Sequence, residues 1–184
     1  MFSLPLLVIG CSRDGPPQKV PEESEVQATP EYYASIAYQR GSQYLAKGEY
    51  EAAAASYEKA VAYNPELASA HSDLGYIHYV KGNYEEAEEK FKKTIEIDST
   101  YVGAYFYLGK LYDRKGMVDR AIEQYEKAVR ILPEYAAAHF FLGKDYEKKG
   151  LVKKALGAYR NYLRYAPDGD GARQSREAIE RLRR

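Results

Sequence analysis

Few residues in this chain have the type and spacing that chemistry would need. The histidines are His71, His78 and His139. His71 and His78 would sit two helical turns apart, about 10 Å at 1.5 Å per residue, too far to share a metal ion. The acidic turn Asp168-Gly-Asp-Gly171 resembles the opening of a calcium loop. It lacks the ligand such a loop needs at its fifth place, where Ala172 stands, and the glutamate at its twelfth. The carboxylate pairs Glu85-Glu86 and Glu88-Glu89 read as solvated charge on a helix. The single cysteine, Cys11, has no base beside it and forms no internal disulfide. No glycine-rich phosphate loop is present. The expectation is a non-catalytic chain with no metal, cofactor or small-molecule substrate.

The elements that would have to position a site are far more legible, because the chain repeats. Shifting it by 34 residues superposes Gly41, Gly75, Gly109 and Gly143, then Gly48, Gly82, Gly116 and Gly150, then Ala53, Ala87, Ala121 and Ala155. Two further columns hold Tyr57, Phe91, Tyr125 and Tyr159, and Pro65, Ser99, Pro133 and Pro167. Within one unit, Val102, Tyr105, Leu108, Gly109 and Tyr112 follow the three-four spacing of an amphipathic helix, which Lys115-Gly116 stops. All four units carry this Lys-Gly pair, with glycine suited to a left-handed cap and lysine to the negative helix end. A second helix from Val118 to about Leu132 places Ala121, Tyr125, Ala128 and Ile131 on one face and ends at Pro133. Gly109 and Ala121 are small where paired helices must approach closely. His71 and His139 share one repeat position, used for an aromatic packed between helices, so both are expected to be structural.

This period and residue set resemble the tetratricopeptide repeat, a helix-turn-helix unit. The resemblance implies an all-α fold, a right-handed α-solenoid of four such units over 30–169 (34–67, 68–101, 102–135 and 136–169) with a C-terminal capping helix over 170–184. Ser175, Ile179 and Leu182 are the narrow apolar stripe of that last helix. Thr29-Pro30-Glu31 is a helix-opening signal. Ala37 and Arg40 depart from the usual residues of the first unit, which suits an end repeat with one side in solvent. Ser99 in place of proline predicts that the helix Tyr84–Ile97 runs on smoothly into the next turn.

The family further implies a concave groove lined by the first helix of each unit, and a protein or peptide partner within it. Carried over position by position, the groove residues are Tyr38, Tyr76, Tyr79, Phe106, Tyr107, Phe140 and Phe141, with Lys110, Arg114, Lys144 and Lys148 at the C-terminal half. About half of the rings are expected to be exposed. The subfamily that grips acidic tails of heat-shock chaperones uses a Lys/Asn/Asn/Lys/Arg clamp. The matching positions are Tyr38, Ser42, Asp73, Gly103 and Tyr107, so that role is not expected.

Residues 1–11 depart from the repeat. Val8-Ile9-Gly10-Cys11 resembles the lipobox of bacterial lipoproteins, which implies lipidation at Cys11, membrane attachment and a place in the cell envelope. No Lys or Arg precedes Cys11, whereas a secretory signal opens with a basic region. Either the true start lies upstream of Met1, or the match is accidental and the alternative is a soluble cytoplasmic adaptor or a docking subunit of a separate enzyme. Residues 12–29, with Pro16, Pro17, Pro21, Glu22, Glu23 and Glu25, are expected to form a disordered tether.

Charge excludes little more. Lys plus Arg and Asp plus Glu are 27 each, so no nucleic-acid partner is expected and global charge argues for no acidic substrate either. Residues 16–66 carry net −4 and residues 136–184 net +6, so one end of the array is acidic and the other basic.

Overall fold

A computed structural model describes residues 29–184, which form nine helices and no strand. Four hairpins follow one another: α1 (Pro30–Ala46) with α2 (Tyr50–Tyr63), α3 (Ala68–Lys81) with α4 (Tyr84–Ile97), α5 (Val102–Arg114) with α6 (Val118–Ile131), and α7 (Ala136–Lys148) with α8 (Val152–Tyr165). α9 (Ala172–Leu182) closes the array against α8. Each second helix packs on the first helix of the next hairpin, and α3 also touches α5, giving the right-handed α-solenoid. The lipobox around Cys11 and nearly all of the expected tether lie outside the described residues.

The glycine columns build the hairpins. A Cβ on Gly41, Gly75, Gly109 or Gly143 would lie 2.5–2.8 Å from the ring of Tyr57, Phe91, Tyr125 or Tyr159, so the missing side chain makes room for that ring. The second column supplies the turns. Gly48, Gly82, Gly116 and Gly150 have φ between 69° and 83°, the left-handed conformation that ends each first helix. At the N-terminus, the Thr29 hydroxyl accepts from the Tyr32 N–H at 3.3 Å, with Pro30 at the first turn as expected.

Consecutive units are tied by a third column. His71 Nε2 lies 2.9 Å from the Pro65 carbonyl oxygen and His139 Nε2 lies 2.7 Å from that of Pro133, while the Tyr105 hydroxyl donates to the Ser99 carbonyl at 3.1 Å. Because a carbonyl only accepts, each histidine carries its proton on Nε2. These histidines are structural ties. In α9, Arg176 donates to the Pro167 carbonyl at 2.6 Å, completing the same series.

Two expectations change. α4 does not run on past Ile97: Asp98 turns out of the helix (φ −135°, ψ 97°), close to the conformation of Asn64 in the first unit. The Asp98 carboxylate accepts from the Thr100 N–H at 2.8 Å and from its hydroxyl at 2.7 Å, an Asx turn that does what proline does elsewhere. The first unit leaves apolar as well as polar side chains in solvent. Arg40 is exposed, but Tyr32, Tyr33, Ile36 and Tyr63 are exposed as well, and Tyr33 stacks on Tyr63. α9 buries Ala172, Ser175, Ala178 and Ile179, a broader stripe than Ser175, Ile179 and Leu182 alone.

Candidate partner-binding groove

The first helices α3, α5 and α7 bring the predicted rings into one connected surface. Tyr76 and Tyr79 meet Tyr107 at ring separations of 5.2 and 6.0 Å, Tyr107 meets Phe106, Phe106 meets Phe141, and Phe141 meets Phe140. The reason is periodic. Tyr107 stacks on Phe91 of the preceding unit (5.7 Å, 7°), and Phe141 stacks on Tyr125 in the same way (5.6 Å, 22°). Tyr107 and Phe141 therefore each rest on the large core ring of the preceding unit. Tyr38 stands apart, in α1, against Tyr57.

The expected exposure needs correction. None of the seven rings is openly exposed: six are half-buried, and Phe106 is core at 7% exposure. Phe106 is enclosed by Tyr107, Tyr125, Tyr135 and Phe141, all with ring centres within 5.2–5.9 Å. A half-buried ring still offers one face or edge, so the surface is aromatic but shallow.

The cations fall into two kinds. Lys148 is held by two carboxylates, Asp145 at 2.6 Å and Asp113 at 2.9 Å. Asp113 also accepts from the Tyr125 hydroxyl at 2.9 Å, so the cluster reaches the core. Asp145 is fully buried, and its Oδ2 has no hydrogen-bond partner. Burial pushes its carboxyl well above the ordinary carboxylate range; the Lys148 hydrogen bond opposes this, and the neighbouring Asp113 charge adds to it. These two acids are part of the groove that sequence reading passed over. The available signal was Asp145 three residues before Lys148, one turn away on the same helix.

Lys110, Arg114 and Lys144 are different, since none of them reaches a carboxylate among the described residues. Lys110 Nζ lies 5.5–5.8 Å from the ring centres of Tyr79, Phe106, Tyr107 and Phe141. Burial lowers its ammonium from the usual lysine range, and the Arg114 charge lowers it further. Lys144 stands over Phe140 and Phe141 in the same manner. Lys110, Arg114, Lys144 and Lys148 line a cavity of about 300 Å³ with Tyr79, Phe141, Asp113 and Asp145. The N-terminal half is opposite in sign: burial raises the carboxyl of Asp73, which lies near Tyr38 and Tyr57.

Family models described as tetratricopeptide repeat match residues 38–102 and 102–135. The chain is a tetratricopeptide-repeat protein. Repeat proteins of this kind mediate protein–protein interaction. Among solved structures, the chain is similar to a MamA protein at 25% identity (TM-score 0.70, covering 82% of this chain and 80% of that one). PilF of Pseudomonas aeruginosa shares the fold at 19% identity (TM-score 0.71, covering 83% and 78%). So does the first repeat domain of Spaghetti (RPAP3), solved bound to the HSP90 peptide SRMEEVD, at 18% identity (TM-score 0.63, covering 66% and 97%). No curated protein sequence matches the chain at a significant level.

Proposed function

We propose that this tetratricopeptide-repeat protein is a non-catalytic scaffold that takes a protein or peptide partner on the face formed by α3, α5 and α7. The observation that carries the reading is the connected aromatic surface from Tyr76 to Phe140, bordered by cations that no carboxylate of the described residues engages. Half-buried rings give broad contact at low entropic cost, and their backing by Phe91 and Tyr125 holds them in place before a partner arrives. That the Spaghetti repeat domain, which has the same fold, is bound to a peptide supports a peptide partner of some kind for this chain.

The scaffold is tethered to a bacterial membrane through lipid on Cys11 and works in envelope assembly, such as secretion, pilus or cell-wall machinery. Two acyl signals or more make such an anchor stable where one chain gives only marginal binding. The support is the Val8-Ile9-Gly10-Cys11 sequence and the proline-bearing, glutamate-rich stretch that follows it.

Both parts are tested in cells. A photo-crosslinking residue at Tyr76 or Phe141 captures a partner, while the same residue at Glu123 on α6 does not; equal capture from all three positions removes the groove reading. Metabolic labelling with an alkyne fatty acid marks the wild type and spares Cys11→Ser. Labelling of both proteins alike removes the lipid anchor and leaves a soluble adaptor.

A further inference from the structure

Resting on the groove reading above, we infer that the segment held there carries adjacent acidic side chains, and that these seat on Lys110, Arg114 and Lys144. The first argument is a difference among lysines. Lys90, Lys93, Lys110, Lys115 and Lys127 are half-buried in this fold. Four of them meet a glutamate: Lys90 meets Glu89, Lys93 meets Glu66 and Glu96, Lys115 meets Glu85 and Glu88, and Lys127 meets Glu123. Lys110 alone of the five meets no carboxylate among the described residues and stands over rings instead. An ammonium taken partly out of water without a counter-charge costs free energy that a bound carboxylate returns.

The second argument is where the neighbouring charge falls. Arg114 is one turn along α5 from Lys110, and Lys144 faces it from α7, across the cavity of about 300 Å³. The only acids lining that cavity, Asp113 and Asp145, are both spent on Lys148. Three uncompensated cations are more than one carboxylate satisfies, so the ligand is a run of Asp or Glu side chains rather than a single chain terminus. The rings beneath Lys110 and Lys144 exclude water on one side, which strengthens each contact with the incoming acid. Asp73 fixes the register. A half-buried carboxylate on α3 repels the acidic run from the N-terminal half and leaves that end of the groove for uncharged or basic residues.

Three eight-residue probes separate the possibilities, each titrated into the full chain labelled for NMR. One is acetylated and amidated with a central Glu-Glu pair, the second has Gln-Gln there, and the third is the Gln-Gln peptide with a free C-terminal carboxylate. The expected result is that the Glu-Glu probe shifts the signals of Lys110, Arg114 and Lys144. Its affinity falls about tenfold or more in Lys110→Met, which keeps the apolar stem over the rings, and falls as salt rises. Lys154→Gln, which removes a cation over Tyr146 on another face, leaves the affinity unchanged. Equal binding by the Gln-Gln probe at the same signals overturns the acidic seat while the groove reading stands. Binding by the free-terminus probe alone overturns the choice of side-chain carboxylates. No shift from the Glu-Glu probe overturns the seat outright, and the groove reading is then judged by the crosslinking at Tyr76 and Phe141.

Discussion

At the level of single residues, the repeat is held by contacts with no slack. The hypothetical Cβ at Gly109 lies 2.5 Å from the Tyr125 ring, which is itself fully buried. Gly109→Ala therefore lowers stability by about 1–3 kcal/mol in chemical denaturation, although alanine is the better helix former. An unchanged midpoint would mean the hairpin opens without cost. Two acids respond to pH in opposite directions. Burial works to raise the Glu88 carboxyl, but bonds from Lys92 (2.8 Å), Lys115 (3.1 Å) and the Tyr112 hydroxyl (3.0 Å) override it and hold it at about 2. A lowered carboxylate contributes stability that is present above the ordinary glutamate range and lost as pH falls toward 2. Glu88→Gln therefore costs roughly 1.5–3 kcal/mol at neutral pH, and the difference from wild type closes in acid. Asp145 has the other sign, because its carboxyl is raised and the fold binds that proton more tightly than the unfolded chain does. Its burden is present at neutral pH and is relieved as pH falls through the raised value. Asp145→Asn removes this gain, so its thermal melts between pH 7 and 5 are flatter than those of the wild type. Melts that parallel the wild type would show that Asp145 does not titrate there.

At the level of helices, most of the architecture could be read before any coordinates. The glycine, alanine and aromatic columns placed every hairpin, because helix stops and close contacts are decided by local residue type. Two features resisted, for physical reasons. The end of α4 depends on Asp98 and Thr100 bonding to each other, which imitates proline without resembling it. Phe106 occupies a groove position by spacing, but Tyr135 and Phe141 cover it from the turn before α7 and from α7 itself, and burial supplied by another unit leaves no mark on the helix being read. That Lys110, Arg114, Lys144 and Lys148 share one cavity follows from their helix positions. What was hidden was that Lys148 is occupied by Asp113 and Asp145 while Lys110 is not. The capping role of α9 has its own test. α9 packs on α8, and its Ala178 and Ile179 belong to the same buried cluster as Ala155, Ala158 and Tyr159 of α8. Removing residues 170–184 uncovers this apolar end, lowering the melting temperature and raising the tendency to aggregate in light scattering. A truncated chain as soluble and as stable as the full one would deny α9 that role.

For the molecule as a whole, the core is not evenly continuous. One buried cluster joins Ala53, Tyr57 and Ala60 of α2 to Ala70, Leu74 and Ile77 of α3, and a larger one extends from Ala87 and Phe91 of α4 to Ile179 of α9. The second hairpin is not itself split, because Gly75 of α3 receives the Phe91 ring of α4, so the looser seams are those between hairpins. In an array whose stability is a sum of units and nearest-neighbour seams, the weakest seam sets where opening begins. Native-state hydrogen exchange should show the terminal hairpin α1–α2 opening as one unit at lower free energy than α5–α8. Uniform protection across all the helices would instead mark a single cooperative block.

The ladder of carbonyls at Pro65, Ser99, Pro133 and Pro167 has a consequence for how such a gene grows. Each is taken by the next unit's His71, Tyr105 or His139, and the last by Arg176 of α9. Every unit thus offers a carbonyl socket at its end, and each unit after the first, like α9, brings a side chain that fills it. A duplication of 34 codons, the spacing of Gly75 and Gly109, lengthens the array by one whole unit and leaves both junctions paired. A duplication a few codons longer or shorter puts a socket opposite the wrong residue, so the coding sequence of this chain can be extended in steps but not by degrees.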